Sequence, residues 1–581
     1  MDSFVDTGPP PHCPAPFNLA AHVLAAGRTV PDKPALELLH PDRAEVWTHA
    51  DIARAVATAR VGLHAAGLAE GDRLLMRIGN EPAFPIVFLA AIHAGIVPVP
   101  TSAALTAPEV AAIVRDIRPA AIVAAPGVAL LDASACPVLS ADALVPPHAP
   151  APGEAWSDAA PAPAPGVPSA PAPDDISARV AAAPDVSVRA ADSAPLSGNA
   201  SARLPGPSDT SAPSVPSAQV AGLSASPVPG DTHAPVPGDT HAPVPGDTHA
   251  PVQGTLNAPV PGNTVVPRLG DPDRPAFIVY TSGTSGQPRA VVHAHRSIWA
   301  RRMMTHGWYG LRGDDRLLHA GAFNWTFTLG TGLLDPWAAG ATALIPAPGT
   351  EATALPALLA RHAATIFAAA PGLYRRVLRA GLPPIPTLRH GLSAGEKLPP
   401  SLRAGWRAAT GTDVHEAFGM SECSTFLSGS PARPAPDGAS GYAQPGRRLA
   451  LIGPDHAPVP RGTPGTIAIA ATDPGLMLGY LDRAEETRAR FTPDGAWFLT
   501  GDEGVMDDGG AITHLGRRDD MMNAGGVRVS PLEVEAAFLA HPAIADAAAV
   551  ERPVASGATV IALHYVADAA LDDAELATFA A

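Results

Sequence analysis

The stretch "AFIVYTSGTSGQPRAVVHAH" (residues 276–295) sets Thr281, Ser282, Gly283, Thr284, Ser285 and Gly286 between two apolar runs. Residues 276–280 and 290–293 have strand composition, so the hydroxyl-glycine segment joins strand to strand. Two readings fit it. One is the polar turn of a surface hairpin. The other is a loop that wraps a phosphate, because glycines let backbone N–H groups point inward and four hydroxyls add donors. The Gly-Lys-Ser/Thr ending of the common nucleotide-hydrolase loop is absent, which disfavours a kinase or P-loop ATPase. Taken alone, the stretch leaves both readings open.

The 581-residue chain is long enough for more than one domain. Hydrophobic residues make up 46%, a figure raised by alanine, and charged residues only 16%. The 68 prolines and 54 glycines point to a portion without regular structure. A formal charge of −16 argues against nucleic-acid or membrane-surface binding, since both need basic patches. Cys13, Cys136 and Cys423 are too far apart for a disulfide framework or metal knuckle, which suits a reducing compartment. The opening "MDSFVDTGPPPHCPAPF" lacks the basic and apolar regions of a signal peptide. The most apolar run, residues 83–100, is interrupted by His93, Gly95 and prolines, and it predicts a buried helix followed by a strand. A soluble cytoplasmic protein is expected.

Residues 1–136 alternate helical and strand patterns, the mark of an α/β layer with parallel pairing. Residues 137–270 shift to Pro, Ala, Ser, Gly and Asp. They hold the octapeptide "PVPGDTHA" at Pro227, Pro235 and Pro243, with degenerate copies at Pro251 and Pro259. Such proline density forbids helices and ladders, and the near-absence of aromatics leaves little to bury. A disordered insertion is expected there. The repeat histidines His233, His241 and His249 could be metal ligands, but eight-residue spacing gives no preformed geometry. The α/β texture returns over 271–515, and 516–581 reads as a second, smaller domain.

The loop is followed, in order, by "GLSAGEKLP" from Gly391, "HEAFGMSE" from His415 to Glu422 and "MLGYLDRAEETRARF" from Met477. After these come "GAWFLTGDEG" from Gly495 and "GRRDDMMNAGGVRVSPLEVE" from Gly516 to Glu535. Together with the loop, these segments resemble the signatures of the acyl-adenylate-forming superfamily. That group includes acyl- and aryl-CoA synthetases, luciferases and peptide-synthetase adenylation domains. The resemblance implies an α/β fold: a large multi-sheet N-terminal domain, split by the insertion, and a small α+β C-terminal domain. It also implies a two-step reaction with ATP, Mg²⁺ and coenzyme A. A carboxylate attacks the α-phosphorus of ATP and expels pyrophosphate; a thiol then displaces AMP.

Residue by residue, the resemblance assigns Thr281, Ser282, Gly283, Thr284, Ser285 and Gly286 to the β- and γ-phosphates. Arg289 stands where the family usually has lysine, and Ala290 where it has glycine. Gly395 and Glu396 fall in the adenine wall. Phe418, with Gly419 beside it, covers the adenine. Ser421 lies near the α-phosphate, and Glu422 is the Mg²⁺ ligand. Asp502 accepts the ribose hydroxyls, with Arg517 on the other side. Asp519 matches the hinge, and Gly526 the thiol tunnel. "HAGAFNWTFTLGTGLLDPWAAGATALI" (residues 319–345) resembles the pocket segment of medium-chain and aryl-CoA synthetases, with Phe323, Asn324, Trp325 and Gly330 facing the acid. "GGVRVSPLEVE" resembles benzoate-type CoA ligases. An aromatic or medium-chain acid is the implied substrate and CoA the acceptor; an acyl-carrier protein is the alternative acceptor.

The family's small domain carries a lysine near its C-terminus, whereas the two lysines here are Lys33 and Lys397. By that comparison the small domain reads as truncated. Losing one oriented charge near the α-phosphate commonly lowers kcat by ~10²–10³. Weak adenylation by the chain alone, or an impaired nucleotide-binding remnant, is therefore a further expectation.

Overall fold

The computed structural model describes residues 1–130, 136–145, 266–281, 288–524, 527–541, 543–553 and 559–567, with Leu571, Leu576 and Phe579. Ser282, Gly283, Thr284, Ser285, Gly286, Gly526 and the repeat histidines lie outside the described residues.

The helix Ala83–Ala94 has all twelve residues buried, as a sequence apolar at every position but His93 requires. Gly95 ends it in the left-handed region (φ 83°), its N–H donating to the carbonyls of Ala91 and Ile92. The chain then enters the strand Val97–Pro100, which pairs in parallel with Arg73–Arg77. Two further parallel strands, Ala121–Ala124 and Val138–Ser140, complete a four-stranded sheet. The last of these corrects the expected limits of the insertion. Val138–Ser140 belongs to the sheet, and the helix Ala141–Leu144 behind it buries Ala141 and Leu144. Prolines on both sides hide this short pattern in the sequence. At the far edge, Gly270 bridges Phe17, and Arg268 pairs with Glu70 at 2.7 Å. Residues 137–145 and 266–270 are therefore part of the folded unit.

A nine-stranded sheet forms the largest layer. Its order is Tyr442–Ala443, Ser424–Ser428, Val414–Met420, His390–Ala394, Ile366–Ala369, Arg316–His319, Thr342–Pro346, Pro34–Leu39, Ala44–Thr48. Its six central strands run parallel. In open α/β sheets the crevice beyond the carboxyl ends of such strands is where ligands bind. Gly395 and Glu396 follow one of those ends, and Ser421 and Glu422 follow the next.

The strands Pro275–Thr281 and Arg289–Ala294 pair antiparallel, with Thr281 opposite Arg289, so strand meets strand across the hydroxyl-glycine segment as expected. Gly479–Tyr480 adds a third strand beside Arg289–Ala294. A separate five-stranded antiparallel sheet ends in Trp497–Met506 and Ile512–Arg517. Alternate residues of Trp497–Met506 are buried, which puts Asp502 on the inward face with Phe498, Thr500 and Met506.

The last strand of that sheet runs through position 516, so the domain boundary expected there moves beyond Arg517; the Asp502–Arg517 ladder pair holds the strand in the sheet. The C-terminal portion after it is α+β, as expected. The hairpins Met522–Ala524/Val527–Val529 and Ile544–Pro553/Thr559–Ala567 accompany the helix Pro531–Leu539. Ser530 caps that helix by accepting from the Glu533 N–H. The three cysteines are unpaired. Among the described residues no helix is long and apolar enough to cross a membrane.

Candidate active site

Asp502 is 4% exposed, and a carboxylate so placed needs partners. His514 Nε2 lies 3.1 Å from its Oδ1, and Arg517 donates to its Oδ2 at 3.3 Å. Arg517 is the direct cross-strand partner. His514 reaches Asp502 because the ladder slips between Glu503 and Gly504. The imidazole lies flat on Phe418, ring centroids 4.4 Å apart, and Phe418 meets Phe426 edge-on at 5.5 Å. Sequence reading missed His514. The alternation of the strand Ile512–Arg517 puts it on one face with Gly516, and only the bulge turns it to the carboxylate.

Beyond Phe418 the chain bulges again at Gly419. A Cβ there would collide with the Ser424 carbonyl and the Thr425 backbone, so only glycine fits. Glu422, 7% exposed, comes three residues later. Its Oε1 accepts the Tyr480 hydroxyl at 2.7 Å, and its carbonyl accepts the Met477 N–H at 2.7 Å. Burial, with the Glu422 carboxylate adding to it, pushes the Tyr480 phenol well above its usual range. The Arg289 guanidinium sits 5.3 Å from the Tyr480 ring centre and pairs with Glu486 at 2.9 Å. An unbroken line of contacts and chain bonds thus runs from Asp502 through His514, Phe418, Gly419, Ser421, Glu422, Tyr480 and Arg289 to Thr281. Tyr480 and Glu486, both inside a recognised segment, were not picked out from the sequence.

Two cavities matter here, of which the first touches this line at Gly419 and Ser421. One of about 190 Å³ is bounded by Arg301, Trp325, Phe327, Gly395, Gly419 and Ser421. The other, about 450 Å³, is bounded by Asn80, Ser102, Gly321, Asn324 and Arg376 among others. Asn324 and Trp325, adjacent in sequence, therefore face different spaces. Trp325 presses on Gly395, which holds φ 99°; a Cβ on Gly395 would lie 2.8 Å from the indole. Phe323 faces the core, 5.5 Å from Phe84, and Gly330 packs on the Arg301 guanidinium. Glu396 is exposed at the turn after Ala394, and Asp519 is exposed in the turn after Arg517. Neither makes a described contact with the line from Asp502 to Thr281. Among the described residues no group of three or more His, Cys, Asp or Glu is arranged to hold a metal.

Residues 24–481 match the AMP-binding enzyme family. The chain is 35% identical over 286 residues to the benzoate–CoA ligase of Thauera aromatica, covering 48% of this chain and 53% of that protein. It is 33% identical over 299 residues to a 3-hydroxybenzoate–CoA ligase of an Aromatoleum species (strain CIB), covering 51% and 56%. The chain thus spans about half the length of these relatives. The fold is that of an anthranilate CoA ligase crystallised with anthranoyl-AMP, at TM-score 0.69, 20% identity and coverage of 98% and 90%. It is also that of a benzoate CoA ligase from Burkholderia xenovorans, at TM-score 0.67, 21% identity and coverage of 97% and 92%. With the family match extending over most of its length and the fold agreeing, the chain belongs to the AMP-binding enzyme family.

Proposed function

We propose that this protein activates an aromatic carboxylic acid with ATP, through an acyl-adenylate, and transfers the acyl group to the thiol of coenzyme A. The observation that carries this reading is the contiguity of Asp502, Phe418 and Glu422, a diol acceptor, a ring platform and a buried carboxylate along one line. Asp502 has two acceptor oxygens for the vicinal hydroxyls of a ribose. Arg517 and His514 hold it in place. Phe418 offers the face opposite His514 to the adenine, and the turn at Gly395 and Glu396 closes the other side. The loop between Thr281 and Arg289 takes the β- and γ-phosphates, with Thr284 among its donors and Arg289 supplying positive charge. Ser421 stands near the α-phosphate. Asp519 serves as the hinge and Gly526 as part of the thiol path.

A hard cation prefers carboxylate and phosphate oxygens together. Glu422 fits that preference: with Tyr480 engaging Oε1, its carboxylate would hold a Mg²⁺ ion beside the phosphates. When bound, the ion would neutralise phosphate charge. The protein's own part is to orient the triphosphate and hold the acid carboxylate in line with it. The 190 Å³ cavity suits one aromatic ring, being smaller than the ~300 Å³ at which drug-sized sites begin. The 450 Å³ cavity, whose wall includes Asn324, adjoins the acid cavity through the Asn324–Trp325 bond and suits the thiol arm of coenzyme A.

Pyrophosphate release with a panel of benzoic acids, followed by CoA-dependent AMP release and mass spectrometry of the thioester, tests the reading. Pyrophosphate without CoA-dependent AMP release would favour a carrier-protein acceptor, and no pyrophosphate with any acid would reject it. Phe418→Ala is expected to raise KM for ATP roughly two- to tenfold, since a ring stack contributes about 0.5–1.5 kcal/mol. Gly395→Ala strains a left-handed turn by about 1–2 kcal/mol and drives a methyl into Trp325. Its expected signature is a larger rise in KM for the acid than for ATP, read by steady-state kinetics with each substrate varied.

A further inference from the structure

A side chamber of about 40 Å³ opens off the acid cavity; the two share Arg301, Thr326, Ser421 and Ser424 as walls. One wall of the chamber is His293, 4% exposed, stacked on Phe277 across the strand pair at 4.7 Å. Neither ring nitrogen makes a well-formed hydrogen bond, although the Ser421 backbone lies close to the ring. Buried polar groups are nearly always paired, so an orphaned imidazole facing a cavity points to something that pairs with it there. Burial pushes the ring down to about 4, with the Ser421 backbone pulling the other way, so at neutral pH it is uncharged, with one acceptor nitrogen and one N–H.

Across the chamber, Arg301 is held by Asp335, its Nε donating to both carboxylate oxygens (2.9 and 3.0 Å) and Nη2 to Oδ2 (2.6 Å). Nη2 also donates to the Tyr309 hydroxyl at 2.9 Å. Nη1 donates to Ser424 Oγ and keeps a second N–H with no partner among the described residues. The guanidinium charge is matched by Asp335. The chamber therefore offers one acceptor and one donor with no net charge.

Resting on the reading that the larger cavity holds the acid, we propose that this chamber reads a hydroxyl on the acid's ring. The hydroxyl donates to the His293 imidazole and accepts from Arg301 Nη1. A second carboxylate would enter a chamber without spare charge to balance it. A ring amine lacks a good acceptor lone pair for Arg301. Plain benzoate would leave His293 to a water molecule, for which the space is sufficient.

The test uses the full chain with benzoic acid, the three hydroxybenzoic acids, their methyl counterparts, the aminobenzoic acids and isophthalic acid. Binding is measured by calorimetry with ATP and Mg²⁺ present, and turnover by pyrophosphate release. One hydroxy isomer is expected to exceed both benzoate and its own methyl counterpart by about tenfold or more, because a site built for a hydroxyl penalises analogues that leave its groups unpaired. In His293→Phe, which keeps the stack on Phe277, that ratio is expected to fall toward one. Equal binding of the hydroxy and methyl isomers by the unmodified chain would overturn the proposal, as would an undiminished ratio in His293→Phe. Absence of pyrophosphate with every acid would instead reject the ligase reading, while the calorimetric ratios still decide this one.

Discussion

Asp473→Ala is expected to destabilise the large domain by about 3–5 kcal/mol, the cost of leaving a buried charge without its partner. Arg447 is 0% exposed, and its Nη1 contacts both Asp473 Oδ1 and, at 3.5 Å, Cys423 Sγ. Nη2 donates to the Thr425 carbonyl at 3.0 Å. Asp473 Oδ1 also accepts the Gly475 N–H at 2.8 Å. With Arg447 Nε and Asp473 Oδ2 already unpartnered, the site has no spare hydrogen bond to absorb the loss. The cross-check is Asp473→Leu combined with Arg447→Met, which removes both charges and should recover much of the stability. Urea unfolding followed by tryptophan fluorescence reads both variants; a loss below about 1 kcal/mol in Asp473→Ala would show that the pair is not the strut the geometry describes. Activity should fall with stability, because the strut brackets the strand end that carries Glu422: Cys423 follows Glu422, and Met477, two residues past Gly475, donates to the Glu422 carbonyl. Burial, with Asp473 adding to it, pushes the Cys423 thiol above its usual range, so it acts as packing and not as a nucleophile.

The parts of this fold that the sequence made legible are those whose determinants are local. Residues 83–94 are apolar at every position but His93, and Gly95 supplies the left-handed cap, so a buried helix with a sharp stop was readable. The strands around the hydroxyl-glycine segment were readable because apolar runs bound it on both sides, and Thr281 does face Arg289. Val138–Ser140 was not, because three residues between Pro137 and a four-residue helix carry too little pattern to separate from the insertion. At the site, Asp502, Phe418 and Glu422 stand inside recognisable segments. His514 does not stand out, because its contact with Asp502 depends on a ladder slip at Glu503 and Gly504. Arg301 and Asp335 are 34 residues apart, and only the packing of their segments joins them. The same holds for Asn324 and Trp325: a motif places both near the acid, but the local backbone decides which cavity each meets.

Glu422→Gln is expected to lower kcat by about 10²–10³, the usual cost of removing one preorganised electrostatic group from a site of this kind. The amide has the same shape and can still accept the Tyr480 hydroxyl, so stability should fall far less than in Asp473→Ala. An uncharged oxygen is a poorer partner for a hard cation, so the Mg²⁺ concentration for half-maximal rate should rise. Tyr480→Phe separates the two functions of the carboxylate. It removes the hydrogen bond that orients Glu422 while leaving the charge, and it keeps a ring under the Arg289 guanidinium. Its loss should therefore be about ten- to a hundredfold, in line with ~1.5–3 kcal/mol for a hydrogen bond to a charged group. If Tyr480 acts only through Glu422, the double variant should be no slower than Glu422→Gln alone, a non-additivity of about 1 kcal/mol or more in the mutant cycle. Additive losses would mean that Tyr480 touches the nucleotide by itself, and a Glu422→Gln chain with parental kcat would remove Glu422 from the reaction.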